Sequence, residues 1–339
     1  MNATQVADLL PVLLALTLGF TVVMYVVLDG FDLGIGMLFP FYPQEADRDL
    51  VMNSVAPFWD GNETWLVLGG GGLWVAFPQA YAIIMPAFYI PIILMLLALI
   101  FRGVAFEFRW VAKPHHAKWD LAFWLGSTIA AFAQGLVLGG MIQGIKVENG
   151  QFAGGPLDWL TPFTLMCGVG VVCGYALLGA TWLVFKTEGP VAERARRQAK
   201  MLLIGLMAFA AVVSLWTPYA HPRIAERWFT PSNLLLLWPL PVLTAFFGYM
   251  AWKRLHSQHE FTPFAFTIGI FLLCFLGLAI SNFPYLVPPD LTIWDVAAAP
   301  SSHVFVLIGV SFLLPMILFY TAFVYWTFRG KVRADSGYH

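Results

Sequence analysis

Long apolar runs separated by short polar loops dominate this chain of 339 residues. A hydrocarbon layer about 30 Å thick requires about 20 apolar residues per helix, and eight runs reach that length. The pattern predicts an all-α polytopic membrane protein with eight transmembrane helices. Because short loops favour antiparallel neighbours, we expect two consecutive four-helix bundles. The predicted spans are residues 9–38, 79–110, 119–145, 160–186, 201–220, 233–252, 262–286 and 302–328.

One more apolar stretch, residues 56–78, departs from the pattern of a lipid-facing helix. It carries Asp60, Asn62 and Glu63 near its start and four consecutive glycines near its middle. Charges at bilayer depth are costly and glycines weaken a helix, so such a segment suits a place enclosed by protein or beside a polar path. We expect a broken, re-entrant segment that does not span the membrane and presents Asp60 inside a bundle. The alternative is a poorly packed helix with its acids at the interface.

The distribution of Lys and Arg sets the predicted orientation, because cytoplasmic loops retain positive charge. Four alternate loops hold 14 of the 18 basic residues, namely 102–118, 186–200, 253–260 and 329–339. The acidic loop 43–50 suits the outer face, and this requires segment 56–78 to enter and leave on one side. We therefore expect eight spans with both termini cytoplasmic. Nine spans with an external N-terminus are the alternative.

Composition agrees with a membrane protein and excludes one class of partner. The chain is 60% hydrophobic and 11% charged, with a mean hydropathy of +0.76, and its net charge of -1 gives no electrostatic basis for nucleic-acid binding. No loop is long enough for a separate globular domain. The predicted organisation is an N-terminal bundle at 1–145 that includes segment 56–78, a C-terminal bundle at 160–328, and a cytoplasmic tail at 329–339.

Charged residues at or near bilayer depth are concentrated in the N-terminal half. Asp29 and Asp32 are three residues apart on the first helix and share a face. They lie either buried or in the outer headgroup zone, and the sequence leaves both open. Arg102 follows an apolar run, so it either extends to the lipid head groups or pairs with a buried acid. The supply of acids, which also includes Asp60 and Asp120, favours pairing.

The seven histidines all lie in loops, in the tail or at the ends of spans. A haem inside a helical bundle needs an inward-facing axial ligand, most often histidine. We therefore predict that this chain alone binds no haem. The sequence also shows no motif with metal-ligand spacing, and no metal site is predicted.

Three motifs occur in order along the N-terminal half: LDGFDLGIG from Leu28, WDGNETW from Trp59 and RGVAFEFRW from Arg102. With these motifs the chain resembles subunit II of the cytochrome bd-type quinol oxidases over essentially its whole length. The resemblance implies two four-helix bundles and a pseudosymmetric heterodimer with subunit I. That subunit is expected to carry haems b558, b595 and d and the quinol site.

The resemblance also implies roles for individual residues. Asp60 resembles the family's buried proton-path acid, Glu107 the carboxylate nearer the cytoplasmic mouth, and Trp65 the tryptophan beside the oxygen access route. Glu107 stands where some relatives have aspartate, and Gly103 where some have proline. Further family-typical polar positions are Trp59, Asp29, Asp32, Arg102 and Asp120.

The expected function is that of a partner subunit in a quinol:oxygen oxidoreductase of the bacterial cytoplasmic (inner) membrane. Such an enzyme reduces O2 to water with electrons from quinol and protons from the cytoplasm, and this subunit supports the haems of subunit I. The resemblance leaves open whether a small accessory subunit attaches and whether a structural quinone binds here; membrane lipid surrounds the chain. The alternatives are a secondary transporter with an interrupted helix, or a purely structural assembly subunit.

Overall fold

The computed structural model describes residues 3–112 and 115–332, with side chains from residue 8 onward. The described chain is almost entirely helical, with a short 3-10 helix at Phe39–Phe41 and two small antiparallel hairpins. The helices are α1 (Ala3–Leu38), α2 (Glu45–Asn53), α3 (Trp59–Ala76), α4 (Pro78–Ala87), α5 (Tyr89–Val111), α6 (Ala117–Gln143), α7 (Pro162–Lys186), α8 (Gly189–Ala220), α9 (Pro222–Phe229), α10 (Pro231–Leu237), α11 (Pro239–Leu255), α12 (Phe261–Asn282) and α13 (Pro300–Thr327). The strands are β1 (Val147–Glu148), β2 (Gln151–Phe152), β3 (Tyr285–Val287) and β4 (Leu291–Thr292).

Eight helical segments in the described residues are long and apolar enough to span a membrane, which confirms the predicted count by length and composition. The helix α3 is not among them, because its first turns hold polar and acidic residues. The eight segments are Asp8–Phe41, Tyr89–Val111, Ala117–Gln143, Pro162–Lys186, Gly189–Ala220, Pro231–Leu255, Phe261–Asn282 and Pro300–Thr327.

Two groups of contacts define the ends of the helical bundle. At one end the Trp294 indole, just before α13, donates to the Asp8 carbonyl at 3.0 Å. At the other end the Lys186 ammonium, at the end of α7, donates to the Gly330 carbonyl at 2.8 Å. We call these the Asp8 end and the Gly330 end. Both α1 and α13 therefore run from the Asp8 end to the Gly330 end.

The expectation of a broken segment at 56–78 is wrong, because α3 is a continuous helix of 18 residues. It runs antiparallel to α1: Asn62 donates to Asp32 near its start, and a Cβ on Gly72 would lie 3.8 Å from Leu18 near its end. With a rise of 1.5 Å per residue α3 is about 27 Å long, close to the thickness of the hydrocarbon layer.

The continuity of α3 reverses two further expectations. Because α3 traverses the bundle, the described residues start at the Asp8 end and finish at the Gly330 end, an arrangement that differs from the predicted placement of both ends of the bundle on one side. The acidic loop 43–50 lies at the Gly330 end with the basic loops, not opposite them, since Asp49 pairs with Arg109 at 2.5 Å. Arg109 on α5 compensates Asp49, so the local charge of this loop does not indicate the side on which it lies. The nine-helix alternative fits this arrangement.

Close helix packing brings the polar residues of the N-terminal half together. A Cβ on Gly34 would lie 1.8 Å from the Tyr175 carbonyl oxygen, so α1 and α7 meet backbone to backbone. The largest cluster of buried apolar side chains runs from Phe31 on α1 to Ile270 on α12, and α7 contacts helices of both halves. The division into two separate bundles stays a prediction.

Candidate functional site: a buried charge cluster

Arg102 occupies the centre of a charge cluster inside the bundle. It is fully buried on α5, and its guanidinium lies 5.4 Å from the Trp59 ring, which stacks on Phe106. It pairs directly with Asp29, lies 3.9 Å from an Asp32 carboxylate oxygen and 3.3 Å from one of Glu63. The prediction that Arg102 pairs with a buried acid is therefore confirmed, and Asp29 and Asp32 are two of its partners.

Asp29 and Asp32 are 0% exposed, which decides between the two positions that the sequence left open. Both face the inside of the bundle from α1, which continues to Leu38 beyond them. The second acid therefore lies about 9 Å before the end of its helix, inside the candidate span 8–41. The structure therefore places both acids in the buried position and not on the surface of the chain.

Asp32 is held by a second contact, from α3. The Asn62 amide nitrogen donates to an Asp32 oxygen at 2.7 Å and lies 3.4 Å from the Leu28 carbonyl. The Asn62 carbonyl oxygen accepts from the Tyr325 hydroxyl at 2.9 Å. This chain of hydrogen bonds connects α13 through α3 to the charge cluster on α1.

A neutral polar chain extends the cluster toward the Asp8 end. Tyr25 lies one helical turn before Asp29 on α1, and its hydroxyl accepts from the Gln134 amide at 2.8 Å. The Gln134 carbonyl oxygen accepts from the Tyr175 hydroxyl at 2.8 Å. Because buried polar groups need partners, these contacts fix α1, α6 and α7 in register.

Asp120 belongs to a second ion cluster, nearer the Gly330 end. It pairs with Arg109 at 2.6 Å and with Arg48 at 3.3 Å. Arg109 is fully buried and also lies 2.5 Å from Asp49 on α2. Asp120 is therefore a partner of Arg109 and Arg48, in a cluster separate from that of Arg102.

The two acids that the resemblance singled out for the proton path lie on the surface of the chain. Asp60 and Glu107 are both exposed, so the expectation that Asp60 is enclosed by this subunit is wrong. Asp60 belongs to the face of α3 that turns away from α1. Trp65 is 1% exposed and packs edge-on against Phe20, with ring centroids 6.0 Å apart.

The sequence alone did not identify several residues of the site. Glu63 lies one turn after Trp59 and shares its helical face, but this spacing alone does not indicate that Arg102 on another helix is its partner. Nothing in the sequence distinguishes Tyr325 as a site residue, because a tyrosine near the end of an apolar helix resembles an interfacial anchor. Within the segments that the structure describes, no group of three His, Cys, Asp or Glu side chains could hold a metal ion.

The fold and this site define an integral membrane protein of at least eight spanning helices with a buried, multiply hydrogen-bonded charge cluster. Intramembrane charges of this kind are typical of proton or ion pathways. Residues 10–328 match the family model for cytochrome bd terminal oxidase subunit II. The chain belongs to this family.

Relatives and a solved structure agree with the assignment. The chain is 28% identical to cytochrome bd-I ubiquinol oxidase subunit 2 of Escherichia coli K12, with 95% of this chain and 94% of that protein covered. It is 30% identical to cytochrome bd ubiquinol oxidase subunit 2 of Bacillus subtilis 168, over 90% and 91% of the two chains. A chain in the structure of bd oxidase from Geobacillus thermodenitrificans has the same fold, with a TM-score of 0.77, 18% identity, and coverage of 95% and 99%.

The comparisons do not favour the transporter or scaffold alternatives. The transporter hypothesis depended on an interrupted helix at 56–78, and α3 is continuous there. The role of terminal oxidase subunit is the one that the family supports.

Proposed function

We propose that this chain is the subunit of a quinol:oxygen oxidoreductase that carries protons from the cytoplasm toward the oxygen-reducing centre of subunit I. The observation that carries the proposal is the buried cluster around Arg102. Oxygen reduction consumes protons, and protons cannot cross an apolar bundle without titratable groups and water. In a subunit of a terminal oxidase, a cluster of buried acids provides such titratable groups.

The charge balance of the cluster supports a proton-holding role. Asp29, Asp32 and Glu63 surround a single guanidinium, so full ionisation would leave two uncompensated negative charges in a buried site. Burying unpaired charge is costly, and binding a proton removes one such charge. One oxygen of Asp32 has no hydrogen-bond partner among the described residues, so this acid retains a position where a proton can bind.

The orientation of the chain follows from the positive-inside rule. The described parts of the four basic loops meet at the Gly330 end, whereas Lys146, Arg223 and Arg227 lie toward the Asp8 end. We therefore assign the Gly330 end and the C-terminus to the cytoplasm, and the N-terminus to the opposite side of the bacterial inner membrane. Glu107 and the Arg109 cluster then lie on the cytoplasmic side of Arg102.

Asp60 is suited to transfer protons across the boundary with subunit I. A stripe of exposed residues follows one face of α3, and a Cβ at Gly61, Gly70 or Gly71 would meet nothing within 4 Å. Small residues in membrane helices permit close approach of another helix, and an exposed carboxylate is costly in lipid. We therefore assign this face, with Asp60, to the contact with subunit I.

We assign the haems to subunit I, and the environment of the histidines in the described residues of this chain supports that assignment. His303 is the most buried histidine there, and its ring nitrogen contacts the Ala76 carbonyl at 2.8 Å. It lies in the first turn of α13, at the Asp8 end. Haem iron would supply oxygen activation in the complex, while this chain supplies proton access and packing.

The test uses the complete oxidase with Asp60→Asn, since asparagine keeps the shape of the side chain but cannot carry a proton. We expect full haem content and at least about tenfold slower quinol-dependent oxygen consumption. The control is Asp290→Asn, an exposed acid in the loop before β4. A wild-type rate with full haem content in Asp60→Asn contradicts the assigned role of Asp60.

A further inference from the structure

Tyr325 on the last helix is the end of a hydrogen-bond chain that reaches a cluster acid. Its ring stacks on Phe58 at 4.5 Å, with Trp182 6.2 Å away, so packing restricts the orientation of the hydroxyl. One turn later the chain is fixed to α7, because the Lys186 ammonium donates to the carbonyls of Phe328 and Gly330. Tyr325 is thus held in place from both sides.

The direction of the hydrogen bonds is fixed by the partners of Asn62. Its nitrogen faces two acceptors, an Asp32 oxygen and the Leu28 carbonyl, and only an NH2 group can satisfy both. Its oxygen therefore faces Tyr325, whose hydroxyl must donate. Both donors in the chain point toward the Asp32 carboxylate.

We propose that Tyr325 is a positioning residue that acts through Asn62 to stabilise Asp32 in its ionised form, so that the docking of α13 sets how readily this acid takes up a proton. A donor into the Asn62 carbonyl polarises the amide and strengthens the bond from its NH2 group to the carboxylate. Asn62 is 2% exposed, so without Tyr325 its carbonyl would lose the donor that the described residues provide.

The other charged and titratable groups that face Asp32 come from α1, α3 and α5. They are Asp29, Glu63 and Arg102. Glu63 and Asp29 oppose ionisation of Asp32, and Arg102 favours it. Tyr325 adds a contribution from α13. Unlike α1, α3 and α5, this helix carries no charged side chain near the cluster. The proposal rests on the proposed proton-carrying function of the cluster.

The experiment measures protonation directly in the purified oxidase complex, without turnover. The pH midpoint of the infrared carboxylic-acid band that Asp32→Asn removes is compared between wild type, Tyr325→Phe and Tyr249→Phe. Tyr249 is the matched control, an exposed tyrosine on α11. We expect Tyr325→Phe to raise the midpoint by about half a pH unit or more, because the weakened hydrogen bond from Asn62 stabilises the ionised carboxylate less. Tyr249→Phe should leave it unchanged.

A second variant keeps the test decisive if Tyr325→Phe fails to assemble. Fluorotyrosine at position 325 keeps the shape of the ring and makes the hydroxyl a stronger donor, so the midpoint should fall. An unchanged midpoint in either assembled variant overturns the proposal. A shifted midpoint with a wild-type oxidase rate supports the positioning role and contradicts the proton-carrying function on which it rests.

Discussion

At the scale of single residues, three carboxylates compensate one buried guanidinium. Removing one partner of a buried ion pair leaves the remaining charges uncompensated, at a cost of about 3 to 5 kcal/mol. Arg102 contacts all three acids and two aromatic rings, so it is the member whose loss affects most contacts. We therefore expect the cluster to hold α1, α3 and α5 together, in addition to the proton-carrying role proposed for it.

Arg102→Leu should destabilise the complex by about 3 to 5 kcal/mol. Thermal unfolding of the detergent-solubilised oxidase measures this, with Arg197→Leu on α8 as the control because Arg197 is exposed. Equal melting temperatures for the two variants would show that Arg102 does not compensate the acids.

The pairing of Arg102 could be predicted from sequence, but not the identity of all its partners. The long apolar run before Arg102 and the spacing of Asp29 and Asp32 indicated buried acids that share a helical face. Tyr325 and Asn62 are 263 positions apart, and no periodicity relates them. Asp60 and Glu63 are three positions apart in one helical turn, and only the packing of α3 on α1 and α5 decides which of them faces Arg102.

At the scale of helices, α3 shows why composition alone predicted the wrong element. Each glycine costs a helix about 1 kcal/mol relative to alanine, which argued for a break at the four-glycine run. In a membrane, however, backbone groups must be satisfied within the segment, so a broken backbone is more costly than a glycine-rich helix. Two of these glycines also lie beside α1, where Gly69 approaches Thr21 and Gly72 approaches Leu18.

The contact between α1 and α7 gives the sharpest prediction at this scale. In Gly34→Ala the new Cβ would lie 1.8 Å from the Tyr175 carbonyl oxygen, so the helices must separate and displace the Tyr175–Gln134 hydrogen bond. We expect little or no assembled oxidase, measured as haem content per membrane protein. The control Gly277→Ala on α12 should assemble normally, because its nearest neighbour is 3.9 Å away. Normal haem content in Gly34→Ala would mean that the close approach is not required.

At the scale of the whole molecule, the continuity of α3 sets the sidedness of every loop. The direction of seven of the eight predicted spans could be assigned from the basic loops without knowing the path of residues 56–78. The direction of the first span could not, because the charge of loop 43–50 is compensated by Arg109 from another helix. Hydropathy indicates the length and apolarity of a helix. The side of the membrane on which a loop lies depends on whether an odd or an even number of spans precedes it.

Cysteine labelling tests whether α3 crosses the membrane. Ala46→Cys precedes α3 and Ala82→Cys follows it, and both positions are exposed. We expect membrane-impermeant reagents to label the two from opposite sides of the membrane. Labelling of both from the same side would restore the eight-span arrangement.

The most direct test of the proton-carrying cluster is proton uptake during a single turnover with oxygen, followed with a pH-sensitive dye in the fully reduced oxidase. The comparison is between wild type, Asp32→Asn and the exposed control Glu148→Gln. With equal haem content, the account predicts proton uptake at least about tenfold slower in Asp32→Asn and unchanged in Glu148→Gln. Uptake at the wild-type rate in Asp32→Asn would contradict it.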